Sequence, residues 1–325
     1  MKPFLNNRIP ELLKNANRVF LCTHIAPDGD AIGSLLALKR MLEGMGKSVT
    51  ACCADPVPRR FCDLPGAADV VLPEQVTGSF DLALSVDATD EKRVGDAIGI
   101  FRAAPVRVQI DHHKGNPLFA DENEVDADAP AAGCIVARLI RALEQPLTAE
   151  IAACLYAAIS TDTGNFCYPN VDAECFEIMS ALRATDFDFG SWARQLHLMR
   201  EPEYLGMLAQ ALATLTYSHG GQVTTMIVGP KDYAMAGAKP EHSENIVNYG
   251  LYIPGVQLCC FVNGTEDRVT KLSIRSLPPY SARRVAARLG GGGHEVAAGA
   301  TLKLPVDEVL PLLNQAIDEE MNSQS

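Results

Sequence analysis

Residues 18–53 read RVFLCTHIAPDGDAIGSLLALKRMLEGMGKSVTACC. A short apolar run, Val19 to Cys22, passes through a polar, glycine-containing loop into an amphipathic stretch, Ala31 to Glu43. A second β-branched run, Val49 to Cys53, follows. Short buried strands alternating with longer helical stretches are the pattern of βαβ units around a mostly parallel sheet. The runs Leu82 to Val86 and Val106 to Ile110 extend it, and helical pattern returns at Ala131 to Leu143, Ala149 to Ile159 and Asp172 to Leu182. The expected fold class is α/β: an N-terminal mostly parallel sheet with flanking helices, plus a smaller mixed α/β C-terminal domain.

Asp186, Asp188, Gly190 and Pro202 break this rhythm, placing the expected domains at residues 1–190 and 201–325. The second domain reads as a hairpin around His219, Gly220 and Gly221, then strands Val256 to Val262 and Val269 to Ser276 about a polar Asn263 to Arg268 turn. A helix from Ser281 to Leu289, a glycine run, a strand near Thr301 and a closing helix from Val306 to about Met321 complete it.

The 325 residues are 47% hydrophobic and 21% charged, which excludes disordered, collagen-like and membrane-spanning classes. No apolar leader opens the sequence, so a cytoplasmic protein without a membrane partner is expected. Ten cysteines occur without a CxxC pair and sit mostly in apolar runs, as reduced, buried thiols do. The net charge of −12 argues against broad binding of long nucleic acid. It is uneven: Arg268 to Lys303 carries +6, leaving −18 for the rest, so anionic ligands are steered toward the C-terminal third.

Polar clusters stand where the predicted strands end. The first strand runs into His24, Asp28 and Asp30, the third into Asp87, and the fourth into Asp111-His112-His113. In open α/β sheets ligands bind outside the carboxyl ends of the strands, so these clusters converge on one crevice. A fourth, Ser160-Thr-Asp-Thr-Gly-Asn-Phe166, offers Asp162 from a turn after a helix. Singly, Asp28 and Asp30 read as helix caps and Asp87 as a turn residue; together they outline a metal site. Four carboxylates (Asp28, Asp30, Asp87, Asp162) balance two divalent cations, and His24 and His112 bind as neutral imidazoles. Oxygen and imidazole donors without thiolate favour manganese, with magnesium or cobalt as alternatives. Two ions about 3.5–4 Å apart clamp the attacking and leaving oxygens of a phosphoryl displacement.

These segments resemble the four motifs of the DHH phosphoesterase superfamily, a likeness that covers roughly residues 15–185. The resemblance implies that His24 and Asp28 ligate one ion, that Asp30, His112 and Asp162 ligate the other, and that Asp87 bridges them. It makes Asp111 an additional ligand or an orienting carboxylate. His113 becomes the residue that contacts the scissile phosphate or protonates the leaving oxygen.

The segment Lys271 to Ser276, containing Arg275, precedes Gly290-Gly-Gly-Gly-His294. Successive glycines let backbone N–H groups approach a phosphate, especially where a helix begins after them, and Arg275 and His294 add charge-assisted hydrogen bonds. Ser276, Gly291, Gly292 and Gly293 join them as candidate substrate contacts. This region resembles the GGGH motif of the DHH-associated C-terminal domain of the nanoRNase branch and lacks the SRKKQ motif of family II pyrophosphatases.

The resemblance implies hydrolysis, by a metal-bridging hydroxide, of short oligoribonucleotides, linear dinucleotides and 3′-phosphoadenosine 5′-phosphate (pAp). The expected partners are short RNA and mononucleotide bisphosphates rather than long duplexes; a homodimer is compatible with the family, although no residue pattern demands one. A cyclic-dinucleotide phosphodiesterase and a silent nucleotide-binding regulator are the alternatives. A single Trp192 and 6% aromatic residues give no extended stacking track, so short substrates are expected to be preferred.

Overall fold

The computed structural model describes residues 1–266 and 268–323 and divides into two units, Met1–Met199 and Arg200–Ser325.

In the first unit α1 (Arg8–Asn15) and β1 (Arg18–Cys22) lead into α2 (Gly29–Gly44) and β2 (Ser48–Cys52). Then come β3 (Leu82–Val86), the short helices α3 (Glu91–Val94) and α4 (Ile98–Ala103), and the strands β4 (Arg107–Asp111) and β5 (Glu122–Val125). Helices α5 (Ala132–Ala142), α6 (Ala149–Asp162), α7 (Ala173–Arg183) and α8 (Phe189–Ala193) follow. The sheet order is β2-β1-β3-β4-β5 and every pairing is parallel. Chain direction across the sheet reverses between β1 and β3, so the connections leaving these two strands diverge and open a crevice at their carboxyl ends. β5 escaped the sequence reading because its ENEV run has one buried side chain, Glu124, and no apolar alternation.

Helix α2 is buried along most of its length and packs against α6. Small residues bring them together: a Cβ on Gly33 would stand 2.5 Å from the Cys154 carbonyl oxygen, and one on Gly29 would meet Thr161 Oγ1 at 2.3 Å. The start of α2, which carries Asp30, therefore lies beside the end of α6, which carries Asp162.

The second unit contains α9 (Pro202–Ala213), β6 (Thr216–Ser218), β7 (Val223–Val228), α10 (Pro230–Ala236) and α11 (Asn248–Leu251). It continues through β8 (Leu258–Glu266), β9 (Val269–Ser276), α12 (Ala282–Arg288), β10 (Gly292–Gly293), β11 (Ala297–Leu302) and α13 (Val306–Asn322). Its sheet order is β10-β11-β9-β8-β7-β6, with β7 and β8 parallel and the other pairs antiparallel. One face buries Cys260, Val262, Leu272 and Ile274 with residues of α12 and α13. The opposite face of β7 and β8 packs Met226, Cys259 and Phe261 with residues of α9 to α11.

Besides α9, α10 and α11, which the sequence reading does not include, two details of the second unit differ from it. β8 runs through Asn263 to Glu266, with a bulge between Gly264 and Glu266, so the turn is shorter than Asn263 to Arg268; Asp267 lies outside the described residues. The glycine run is itself part of the sheet, because Gly292 and Gly293 pair with Gly299 and Ala298 as strand β10 ahead of the expected strand at Thr301. All ten cysteines are free, and Cys62 and Cys167 are the exposed ones. Among the described residues no helix is long and apolar enough to cross a membrane.

Candidate metal centre and active site

The crevice at the ends of β1, β3 and β4 gathers the carboxylates and imidazoles into three overlapping groups: His24 with Asp28 and Asp87, Asp30 with His112 and Asp162, and Asp87 with His112 and His113. Asp28 caps α2, its carboxylate accepting from Asp30 N and Ala31 N. It also lies 3.8 Å from His24 Nε2, so the capping and ligand readings apply to the same residue. Asp87 follows β3 in a left-handed conformation, φ 57°, with its N–H tied to the Ile110 carbonyl at 2.9 Å. Such a conformation in a non-glycine residue is imposed by its surroundings. It aims the side chain into the crevice, with Oδ2 3.6 Å from His24 Nε2 and Oδ1 3.5 Å from His112 Nε2.

His112 Nε2 also lies 3.6 Å from Asp30 Oδ2 and 3.4 Å from Asp162 Oδ2. Its Nδ1 is 3.1 Å from the Ala129 carbonyl, an acceptor that keeps a proton on Nδ1, so Nε2 is the nitrogen that would give up its proton to bind a cation. His24 Nδ1 is 2.7 Å from the Ile25 carbonyl, a contact that calls for a proton on Nδ1, and 3.0 Å from Arg93 Nη2, a donor that calls for its lone pair.

Asp30 is fully buried. Its Oδ1 accepts from Gly133 N at 2.9 Å and Ser34 Oγ at 3.0 Å, and its Oδ2 from Ala132 N at 2.5 Å. The start of α5 thus holds this carboxylate, and no sequence signal pointed to it. Asp162 is the last residue of α6 rather than part of a turn.

Crowding shows in the electrostatics. Burial and the charges of Asp87 and Asp162 hold the Asp30 carboxyl well above its usual range. Burial, aided by Asp87 and Asp28, pushes Asp162 up to about 7. Burial works against protonation of His24 and His112, but their carboxylate neighbours raise both to about 10. Asp87 Oδ1 is buried with no hydrogen-bond partner among the described residues. An unpartnered buried carboxylate oxygen between two histidine–carboxylate sets is what a cation would satisfy, so the donor set fits two divalent ions.

His113 Nδ1 lies 2.8 Å from Asp111 Oδ1, and Asn116 Nδ2 donates to Asp111 Oδ2 at 2.6 Å. These partners, against burial, keep Asp111 below its usual range, and Asp111 in turn raises His113. Asp111 therefore faces His113 and Asn116, the latter a residue that sequence reasoning did not select.

In the second unit Arg275 is half-buried on β9, on the same sheet face as Lys271 and Ser273, and His294 is exposed beyond β10. Ser276 is buried, its Oγ accepting from Ala282 N at 2.9 Å and lying 3.3 Å from the Glu295 carbonyl; it holds the start of α12 rather than facing a ligand. The glycine run has a packing reason of its own. A Cβ on Gly291 would stand 2.2 Å from the Gly299 carbonyl oxygen and one on Gly293 2.7 Å from that of Ala297, whereas Gly292 has open space. The basic window is also less available than its charge suggests, because Arg284 and Arg288 pair with the buried carboxylate of Glu320.

The family description "DHH family, N-terminal domain" matches residues 18–159, and "DHHA1 domain" matches residues 221–323. The chain is 35% identical over 318 residues to the bifunctional oligoribonuclease and PAP phosphatase NrnA of Thermus thermophilus, covering 96% of this chain and 93% of the relative. It is 27% identical to the probable bifunctional oligoribonuclease and PAP phosphatase NrnA of Streptococcus mutans, over 89% of this chain and 90% of that one. Its fold matches the crystal structure of an exopolyphosphatase-related protein from Bacteroides fragilis with a TM-score of 0.90 and 24% identity, covering 96% and 95% of the two chains. With both domain matches and near full-length similarity in place, the chain belongs to the DHH family of phosphoesterases and carries the DHHA1 domain as its second unit.

Proposed function

We propose that this hydrolase cleaves phosphate esters in short oligoribonucleotides and removes a phosphate from pAp, using two manganese ions per chain. The observation that carries the reading is Asp87, whose two carboxylate oxygens face the two histidine–carboxylate sets separately. The 35% identity to the Thermus enzyme over nearly the whole chain supports the substrate class.

His24, Asp28 and Asp87 would hold one ion, and Asp30, His112 and Asp162, with Asp87, would hold the other. Divalent cations in such a site supply charge neutralisation on phosphoryl oxygens and acidify water to near neutral pH. The chain's own residues do the rest. The start of α5 fixes Asp30, so the crevice keeps its shape as charge develops. Asp111 holds His113 by Nδ1 and raises its pKa, leaving Nε2 to carry the proton given to the departing oxygen. In the second unit Arg275, His294 and the exposed backbone at Gly292 and Gly293 bind phosphate.

The test is hydrolysis by chelator-treated protein resupplied with manganese, on pAp, on RNAs of two, three, five, seven and twenty-four nucleotides, and on cyclic dinucleotides. The expected result is manganese-restored cleavage that falls with length, because the surrounding negative charge repels a long polyanion, with the steep fall beyond about five nucleotides that the family resemblance implies. Cleavage of the longest RNA as efficient as that of the dinucleotide would overturn the preference, and preferential cleavage of cyclic dinucleotides would replace the substrate class.

A further inference from the structure

Just beyond Asp162 three consecutive residues take left-handed backbone: Gly164 (φ 55°), Asn165 (φ 54°) and Phe166 (φ 63°). For a phenylalanine this conformation is costly and persists only where the surroundings impose it. Asn165 N donates to the Ser160 carbonyl at 2.6 Å, and Cys167 N and Tyr168 N both donate to that of Thr163 at 3.0 Å. Asn170 Nδ2 reaches the carbonyls of Pro130 and Asp162 at 3.1 and 3.2 Å. The Phe166 ring packs 5.9 Å from that of Phe176 on α7. The loop is thereby clamped to the end of α6 that carries Asp162.

What this loop presents is Tyr168. A Cβ on Gly164 would lie 2.4, 2.5 and 2.7 Å from the consecutive ring atoms Cε1, Cζ and Cδ1 of Tyr168. Near-equal distances place that point over the ring face, since an edge-on approach would leave the flanking atoms much farther than the central one. The ring therefore sits face-down on the glycine, where any side chain would displace it. Tyr168 nevertheless remains 52% exposed. A ring seated over a glycine two residues after Asp162, and open to solvent, has the form of a stacking surface for a flat group.

We propose that Tyr168 is the nucleobase platform of the metal centre, stacking on the base of the nucleotide whose phosphate is cleaved. The inference rests on the phosphoesterase reading of that centre. Every base has a π-face, so the contact selects for a nucleotide over a sugar phosphate without selecting strongly among bases.

The test compares wild type, Tyr168→Phe and Tyr168→Ala, with manganese, on pAp and on the corresponding ribose bisphosphate lacking the base. On pAp, kcat/KM is expected to fall about tenfold in Tyr168→Ala and to stay within about twofold in Tyr168→Phe, the size of one base–aromatic stack. On the abasic compound the three proteins are expected to share one low rate. If Tyr168→Ala does not fold, Tyr168→Leu, which keeps apolar volume over Gly164 without a π-system, is expected to show the same selective loss. An alanine or leucine variant equal to wild type on pAp, or one impaired equally on both compounds, overturns the platform while leaving the phosphoesterase reading intact. A wild type inactive on both compounds with manganese, magnesium and cobalt removes the phosphoesterase reading, and the platform with it.

Discussion

Gly33 of α2 lies so close to Cys154 of α6 that a Cβ would stand 2.5 Å from the Cys154 carbonyl oxygen. The neighbouring atom is backbone and cannot rotate away, so Gly33→Ala must push the two helices apart. The expected cost is about 1–3 kcal/mol of stability, as for other overpacked cores. Metal affinity is expected to weaken as well, because the shift separates Asp30 from Asp162. Thermal unfolding and manganese titration check this; an unchanged Tm with unchanged affinity contradicts it.

Asp87→Asn is expected to abolish turnover and to lower the number of tightly bound ions from two to one. The amide keeps the shape but supplies one neutral acceptor where two charged oxygens served. Calorimetric titration with manganese reads the stoichiometry, and wild-type activity in this variant would sink the two-ion assignment.

Metal binding is expected to release protons. At neutral pH, without metal, His24 and His112, raised to about 10, are protonated, and Asp162, raised to about 7, is half-protonated. Ligation needs neutral imidazole and ionised carboxylate, so apparent affinity should rise with pH between 6 and 8. Titration in buffers of different ionisation enthalpy measures the protons released; a binding heat independent of buffer argues against this sign.

Arg275→Ala and His294→Ala are expected chiefly to raise KM for substrates with a second phosphate. A charge-assisted hydrogen bond of about 1.5–3 kcal/mol corresponds to roughly 10- to 150-fold in kcat/KM. Comparing pAp with a mononucleotide carrying one phosphate separates this loss from a general one. Wild-type kinetics in both variants would remove these residues from the phosphate site.

Glu320 is fully buried on α13 and bonds Ser281 N, Arg284 and Arg288. Glu320→Ala leaves those donors without their carboxylate and is expected to cost about 3 kcal/mol, the low end for a broken buried pair because both arginines are partly exposed. Burial raises its carboxyl pKa, but Arg284, Ser281 and Arg288 outweigh this and lower it below 4.5. Its contribution is therefore present at neutral pH and lost as pH falls through that lowered value. Denaturant unfolding at pH 7 and pH 3 should show the variant's deficit shrink in acid.

The parallel-sheet unit was legible because strand and helix periods alternate along residues 18–182, and the metal-ligand candidates because they stand at strand ends. Motif resemblance supplied the division of those residues between two ions. Local sequence carries this information: hydrophobic periodicity sets the element, and the element's end sets where its polar residues emerge. What tertiary structure decided depends on partners distant in the chain. The N–H groups at 132 and 133 that hold Asp30, and the left-handed turn tied to Ile110 that points each oxygen of Asp87 at a different histidine, have no local signature. The second unit shows the same limit. The charge count marked a basic window, but only packing assigned Arg284 and Arg288 to a buried glutamate and paired the glycine run into the sheet. Periodicity reports which face of an element is buried; it does not report which buried or charged group waits on the other side.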